Sequence, residues 1–203
     1  MPIKKKIKYP FDVSKIKTFS DIPMLIQYDQ GHLWSETLHF PSVDRWYLGL
    51  DHGSNEKKYD IDICPDFQRG HVWTNDQRVS FVEYMLRGGK QNNTIIFNQM
   101  GDSLHNGKYP YQCIDGLQRI TSVHMFMHDE LEVFGGLTCS EMVKRYKYKK
   151  FPGTTYYLNI QCTNLKTRAD ILAFYLEFNS AGTVHTEKEL ERVWKLYERE
   201  ITK

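Results

Sequence analysis

A chain of 203 residues has room for one well-buried core and a small appendage. Its content of 40% hydrophobic and 14% aromatic residues excludes a disordered chain, and no window is apolar for the length of a membrane span, so no membrane partner is expected. A formal charge of +2 neither demands nor excludes nucleic acid, because only a local basic face matters there.

The basic start, Met1 to Lys6, is followed by no apolar signal core. Four cysteines, Cys64, Cys113, Cys139 and Cys162, show neither C-x-x-C nor Cys/His ligand spacing. Three of them lie in or beside apolar strand-like runs, where a free thiol acts as a small hydrophobe, so a reducing, cytoplasmic setting is expected. Residues 1–56 read as an N-terminal extension packed on a core domain of residues 57–203. Pro10, Pro23 and Pro41 interrupt the extension, and Phe19, Tyr28, Trp34, Phe40, Trp46 and Tyr47 are irregularly spaced, which suits short strands and turns. Tyr28–His32 reads as a turn between two extended pieces, and residues 51–58 as a polar loop.

Alternation of Tyr59, Ile61 and Ile63 with Asp60 and Asp62 predicts a strand that ends at Pro65. A T-x-x-Q capping box, Thr74 to Gln77, opens a helix carrying Val79, Val82, Met85 and Leu86, which Gly88-Gly89 closes. Strands are expected at Thr94 to Asn98 and Tyr109 to Ile114, paired as a hairpin around a turn region at Gly101–Lys108. A central helix runs from Leu117 to His128, and a shorter one from about Ser140 to Tyr146. A strand at Thr154 to Cys162 and a helix from Arg168 to Phe178 follow, the latter ended by Asn179-Ser180-Ala181-Gly182. The last helix opens on a T-x-x-E box, Thr186 to Glu189. Irregular alternation around an antiparallel pair points to an α+β domain, a small mixed β-sheet flanked by helices.

The most informative stretch is Cys113-Ile114-Asp115-Gly116-Leu117-Gln118-Arg119, where a strand turns through Asp-Gly into the central helix. First-turn N–H groups without intrahelical partners, together with the macrodipole, make such a helix start a phosphate site. Gly116 lets the backbone approach a ligand, Gln118 offers an amide, and Arg119 offers a planar fork of donors. Asp115 could hold Mg²⁺ in company with substrate phosphates, or orient a water. The same residues also make an ordinary cap, turn and solvated arginine.

A second motif, Ile63 to Trp73, ends a strand at a proline and presents Gln68 and Arg69, with Phe67 and Trp73 as aromatic anchors. In a third, Phe174 to Leu190, Asn179 sits at a helix end, either bonding a ligand or serving as a plain C-cap. Lys144, Arg145, Lys147, Lys149 and Lys150, interleaved with Tyr146 and Tyr148, could contact nucleic acid or simply form a solvated loop. His124 and His128 lie four apart, a spacing that could put two imidazoles on one metal. With no acidic third ligand identified, they read as core or boundary histidines.

Taken in order, I-x-x-P-x-F-Q-R-x-x-V-W, then Asp-Gly-x-Gln-Arg opening a helix, then Phe-x-x-x-Asn-Ser-x-Gly-Thr with a Glu-Leu helix resemble the N-terminal domain of GmrSD-type modification-dependent restriction enzymes. The resemblance spans about residues 57–195 and implies a ParB/sulfiredoxin-like fold. It further implies binding, and possible hydrolysis, of a nucleoside triphosphate with Mg²⁺. Asp115 and Arg119 would then be catalytic, and Gln68, Arg69, Gly116, Gln118 and Asn179 nucleotide-binding, with Gln68 and Arg69 facing the others across the pocket and Asp115 the one metal contact, through Mg²⁺. Leu117 stands where the family's DGQQR pattern has its first glutamine. No recognisable nuclease site is present, so a standalone role in DNA restriction, defence or counter-defence is expected, with a nuclease or other protein as partner. The alternatives are a DNA-binding protein that does not hydrolyse nucleotide, and a protein-interaction module of phage or mobile-element origin that uses the N-terminal aromatics.

Overall fold

One mixed sheet organises the chain: β1 (His32–His39), β2 (Asp60–Asp62), β3 (Thr94–Gln99), β4 (Pro110–Asp115) and β5 (Tyr157–Thr163), in the spatial order β1-β5-β3-β4-β2. The structure is a computed structural model that describes residues 12–23, 32–51, 56–99, 110–180 and 186–203. β3 and β4 form the expected antiparallel pair, whereas β3 with β5 and β4 with β2 run parallel, so the sheet is mixed. The turn expected at Gly101–Lys108 lies outside the described residues, as does that at Tyr28–His32 apart from His32 itself, which opens β1.

Six α-helices occur among the described residues: α1 (Val43–Tyr47), α2 (Asn75–Leu86), α3 (Leu117–Met127), α4 (Cys139–Arg145), α5 (Arg168–Ser180) and α6 (Glu187–Ile201). Capping boxes open three of them. Thr74 with Gln77, Thr138 with Glu141 and Thr186 with Glu189 each exchange a side-chain and a backbone hydrogen bond, filling N–H groups that a helix start leaves over. The architecture is α+β, as the sequence indicates.

The described residues fall into two compact units, one of Leu33–Asn164 and one of Leu165–Lys203 with the residues up to His32. The first unit contains the sheet and α1 to α4. β3 is its central strand and is buried from Ile95 to Gln99, which suits a strand with neighbours on both edges and cover on both faces. Leu117, Ile120, Val123 and Phe126 of α3 are buried in the same cluster as Ile95, Phe97 and Cys113. α1 adds Trp46, whose ring lies 4.6 Å from Phe97, 5.0 Å from Tyr111 and 5.6 Å from Trp34. Burying an aromatic of this size is worth about 2–3 kcal/mol, and Val43 of the same five-residue helix is buried beside it. In the second unit α5 and α6 pack on each other.

Candidate functional site

β4 ends at Asp115, and α3 begins two residues later at Leu117. Gly116 makes the turn with φ 99°, in the left-handed region that residues with a Cβ rarely adopt. A Cβ there would lie 2.6 Å from Ile95 Cδ1 and 3.0 Å from Ile95 Cα. The glycine is thus required twice: for the turn, and to let the helix start press on β3.

Asp115 and Arg119 form an ion pair one helical turn apart, both partly buried. Its effect is to fold the Arg119 guanidinium back over the start of α3. No side chain caps this helix start, and Arg119 Nε is buried without a hydrogen-bond partner. Positive potential and unused donors therefore collect at one point. Beneath them, burial pushes the Cys113 thiol well above its ordinary pKa, with the Asp115 charge adding and Arg119 opposing. That thiol is a packed, inert group. For Mg²⁺, the donor set here is one carboxylate, which fits an ion that completes its shell with phosphate oxygens and water.

The loop after β2 is fastened to this turn by two glutamines. Phe67 is fully buried and anchors the loop, and Trp73 meets Phe81 edge-on at 5.5 Å. The Gln68 Nε2 donates to the Cys113 carbonyl at 3.0 Å and the Ile114 carbonyl at 2.7 Å. From the other side, Gln118 Oε1 accepts from the Val72 N–H at 3.2 Å and the Trp73 N–H at 3.1 Å, while its Nε2 donates to the Gly70 carbonyl at 2.6 Å. Arg69 sits between the two fastenings, so its backbone is held next to the start of α3. Both amides that the sequence offered as ligand contacts are engaged in bracing the loop.

Arg78 of α2 carries no motif signal, yet its Nε is also buried without a hydrogen-bond partner. It lies near His71 of the braced loop, where burial first and the Arg78 charge second hold the imidazole below its ordinary pKa. Asn179 belongs to the second unit. It is buried inside α5, which runs on to Ser180, and its amide donates to the Tyr175 carbonyl at 2.8 Å. Lys144, Arg145, Lys147, Lys149 and Lys150 are all exposed where α4 ends, with Tyr146 and Tyr148 more than half exposed among them.

Two further features draw on residues 33–56. A small cavity of ≈ 60 Å³ is lined by Trp34, Arg45, Trp46, Tyr59, Ile61 and Tyr111, none of them a motif residue. Asp44 of α1 accepts from, or pairs with, both His124 and His128. The hydrogen bond from His124 is the largest influence holding its carboxyl below the ordinary range. Asp44 is the acidic partner that the two histidines lacked in the sequence. It lies far away in the chain, and an aspartate after a proline-containing turn carries no local signal.

An α+β domain, with an uncapped helix start after an Asp-Gly turn and a glutamine-braced loop beside it, is the class of protein that this geometry defines. Residues 52–202 match the GmrSD restriction endonuclease N-terminal domain, and the chain belongs to that family. No curated protein matches the chain, and no solved structure does. All four cysteines are free, with Cys64 alone exposed. Among the described residues no helix is long and apolar enough to cross a membrane.

Proposed function

We propose that the chain binds a nucleoside triphosphate at the start of α3 and couples its occupancy to DNA restriction or to resistance against it. The observation that carries this reading is the Arg119 guanidinium, folded over an uncapped helix start with a buried and unused Nε. A buried donor without a partner costs about 1–3 kcal/mol, and phosphate oxygens would recover that cost.

In the ligand-free state Asp115 neutralises Arg119. Phosphates at the first-turn N–H groups compete for the guanidinium and leave the carboxylate free. Asp115 would then hold Mg²⁺, which supplies charge neutralisation across the phosphate oxygens. Arg119 acts on developing negative charge if hydrolysis follows, and Arg69 and Arg78 are the next cations on the loop side. Gln68 and Gln118 are positioning residues that hold Arg69 in place.

Thermal shifts with ATP, GTP, CTP and UTP, each with and without Mg²⁺, test the proposal on the parent, Arg119→Ala and Asp115→Ala. A ligand at a hundredfold its Kd adds about 2.7 kcal/mol to the folded state, so one nucleotide should raise the parent's Tm and leave both variants unmoved. The variants should stay folded, since a partly exposed ion pair is worth about 1 kcal/mol or less. Flat parent traces at millimolar ligand, or equal shifts in all three proteins, would sink the reading.

A second reading rests on the α4 end, where two outward tyrosines stand among five cations. Such a surface suits phosphate contacts with base stacking. Each lost phosphate contact should lower the salt slope of DNA binding by about 1. DNA binding that is unchanged after Lys147→Glu and Lys149→Glu together would remove this surface from consideration.

A further inference from the structure

Two imidazoles and a carboxylate converge where α1 packs on α3. Asp44 Oδ1 lies 2.9 Å from His124 Nδ1 and 3.0 Å from His128 Nε2, and Asp44 Oδ2 lies 2.9 Å from the same His128 nitrogen. One ligand-type atom from each residue falls within 4.8 Å of the other two. Ligands about 2.0–2.1 Å from a tetrahedral zinc ion sit about 3.4 Å from one another, which falls between the 2.9 Å histidine–aspartate contacts and the 4.8 Å limit of the cluster.

We propose that Asp44, His124 and His128 form a divalent transition-metal site, suited to Zn²⁺, with its fourth position open to solvent. Two nitrogens and one oxygen favour zinc-like ions over Mg²⁺ or Ca²⁺, which take oxygen donors. Three protein ligands and an open position are the composition of a reactive zinc site and not of a closed structural one. The open side is that of His128, whose side chain is 42% exposed, while that of His124 is only 14% exposed.

The ligands are also held in advance of any ion. Tyr47, three residues after Asp44, stacks on the His124 ring with centroids 4.0 Å apart, and the two imidazole rings lie 4.4 Å apart. Bonds from the Leu48 and Leu50 N–H groups to the Asp44 carbonyl fix the backbone that carries the carboxylate. Without metal, each imidazole can donate an N–H to Asp44. Metal binding replaces those protons, so affinity should fall as the pH is lowered. The site shares no residue with the proposed nucleotide site and does not depend on it.

The test uses the untagged full chain, stripped with chelator and titrated with Zn²⁺ by calorimetry and with Co²⁺ by visible absorption. One ion per chain is expected, with the strong ligand-field bands of low-coordinate Co²⁺ that Zn²⁺ then bleaches. His128→Ala, at an exposed position, should leave the fold intact and weaken binding at least about tenfold, and Asp44→Asn should do the same. His71→Ala, outside the cluster, should leave affinity unchanged. Absence of saturable binding, or binding that survives both His128→Ala and Asp44→Asn, overturns the proposal.

Discussion

The two ends of α3 are held by different chemistry. At its start, neutral glutamine amides fasten a loop to backbone carbonyls and N–H groups. Toward its other end, one carboxylate gathers two imidazoles. Amide bracing carries no charge, so neither protons nor metal ions loosen it, and the charged Asp115–Arg119 pair lies beside it. The far end is the reverse case, where the fastening itself is made of groups that protons and metals compete for. One helix thus joins a rigid platform to a responsive clasp.

Breaking the platform should cost most. Gly116→Ala must place a residue with a Cβ in the left-handed region, about 1–2 kcal/mol, and drive that Cβ into Ile95, about 1–3 kcal/mol more. Urea denaturation should show a loss of about 2–5 kcal/mol, and a loss below about 1 kcal/mol would mean that β3 yields easily. Gln118→Leu comes next, because it leaves the Val72 and Trp73 N–H groups and the Gly70 carbonyl without their partner. Since water can reach part of this loop, the expected cost is about 1–2 kcal/mol. Faster hydrogen exchange at the Val72 and Trp73 amides is the specific readout, and unchanged exchange would show that the brace does not order the loop.

Weakening the clasp should cost less. Asp44→Ala removes the acceptor for two imidazoles, but the group is partly exposed and water can replace it, so about 1 kcal/mol is expected in chelator. A loss as large as that of Gly116→Ala would erase the distinction between the two ends.

The same contrast explains what could be read from the chain. Thr74 with Gln77 and Thr186 with Glu189 were legible because each box lies within four residues and its partner is dictated by helix geometry. The β3–β4 pair was legible from two β-branched and apolar runs on either side of a polar, glycine-containing stretch. The Asp115–Arg119 stretch was legible as a turn from strand into helix, yet the bracing by Gln68 and Gln118 was not. Their hydrogen bonds reach residues some 45 positions away, and an amide that braces backbone looks the same in sequence as one that awaits a ligand. α1 was missed because five residues give no periodicity, and its buried Trp46 packs on Phe97 and Tyr111, far along the chain. Asp44 was missed for the related reason that its partners lie 80 and 84 residues on. The expected helix end at Asn179 fell one or two residues short, because an asparagine that bonds the carbonyl one turn back does not stop a helix.

The smallest effect concerns pH at the platform. His71 lies in the braced loop, and burial together with Arg78 holds its imidazole below the ordinary value, about 6.5 in a free chain. The unfolded chain therefore binds this proton more readily than the folded one. The resulting penalty is absent well above pH 6.5 and grows as the pH falls through the ordinary imidazole range, so folding stability declines with acidification over that interval. The chain holds eight histidines, so the parent's curve alone is not diagnostic. The informative quantity is the difference in Tm between pH 7.5 and 5.5 for His71→Gln and for the parent, both in chelator. His71→Gln should lose less on acidification, by a small margin because the side chain is substantially exposed. Parallel losses would mean that the loop accommodates the charged imidazole, and that the rigidity of the platform stops at the Gly70 carbonyl and resumes only at Val72.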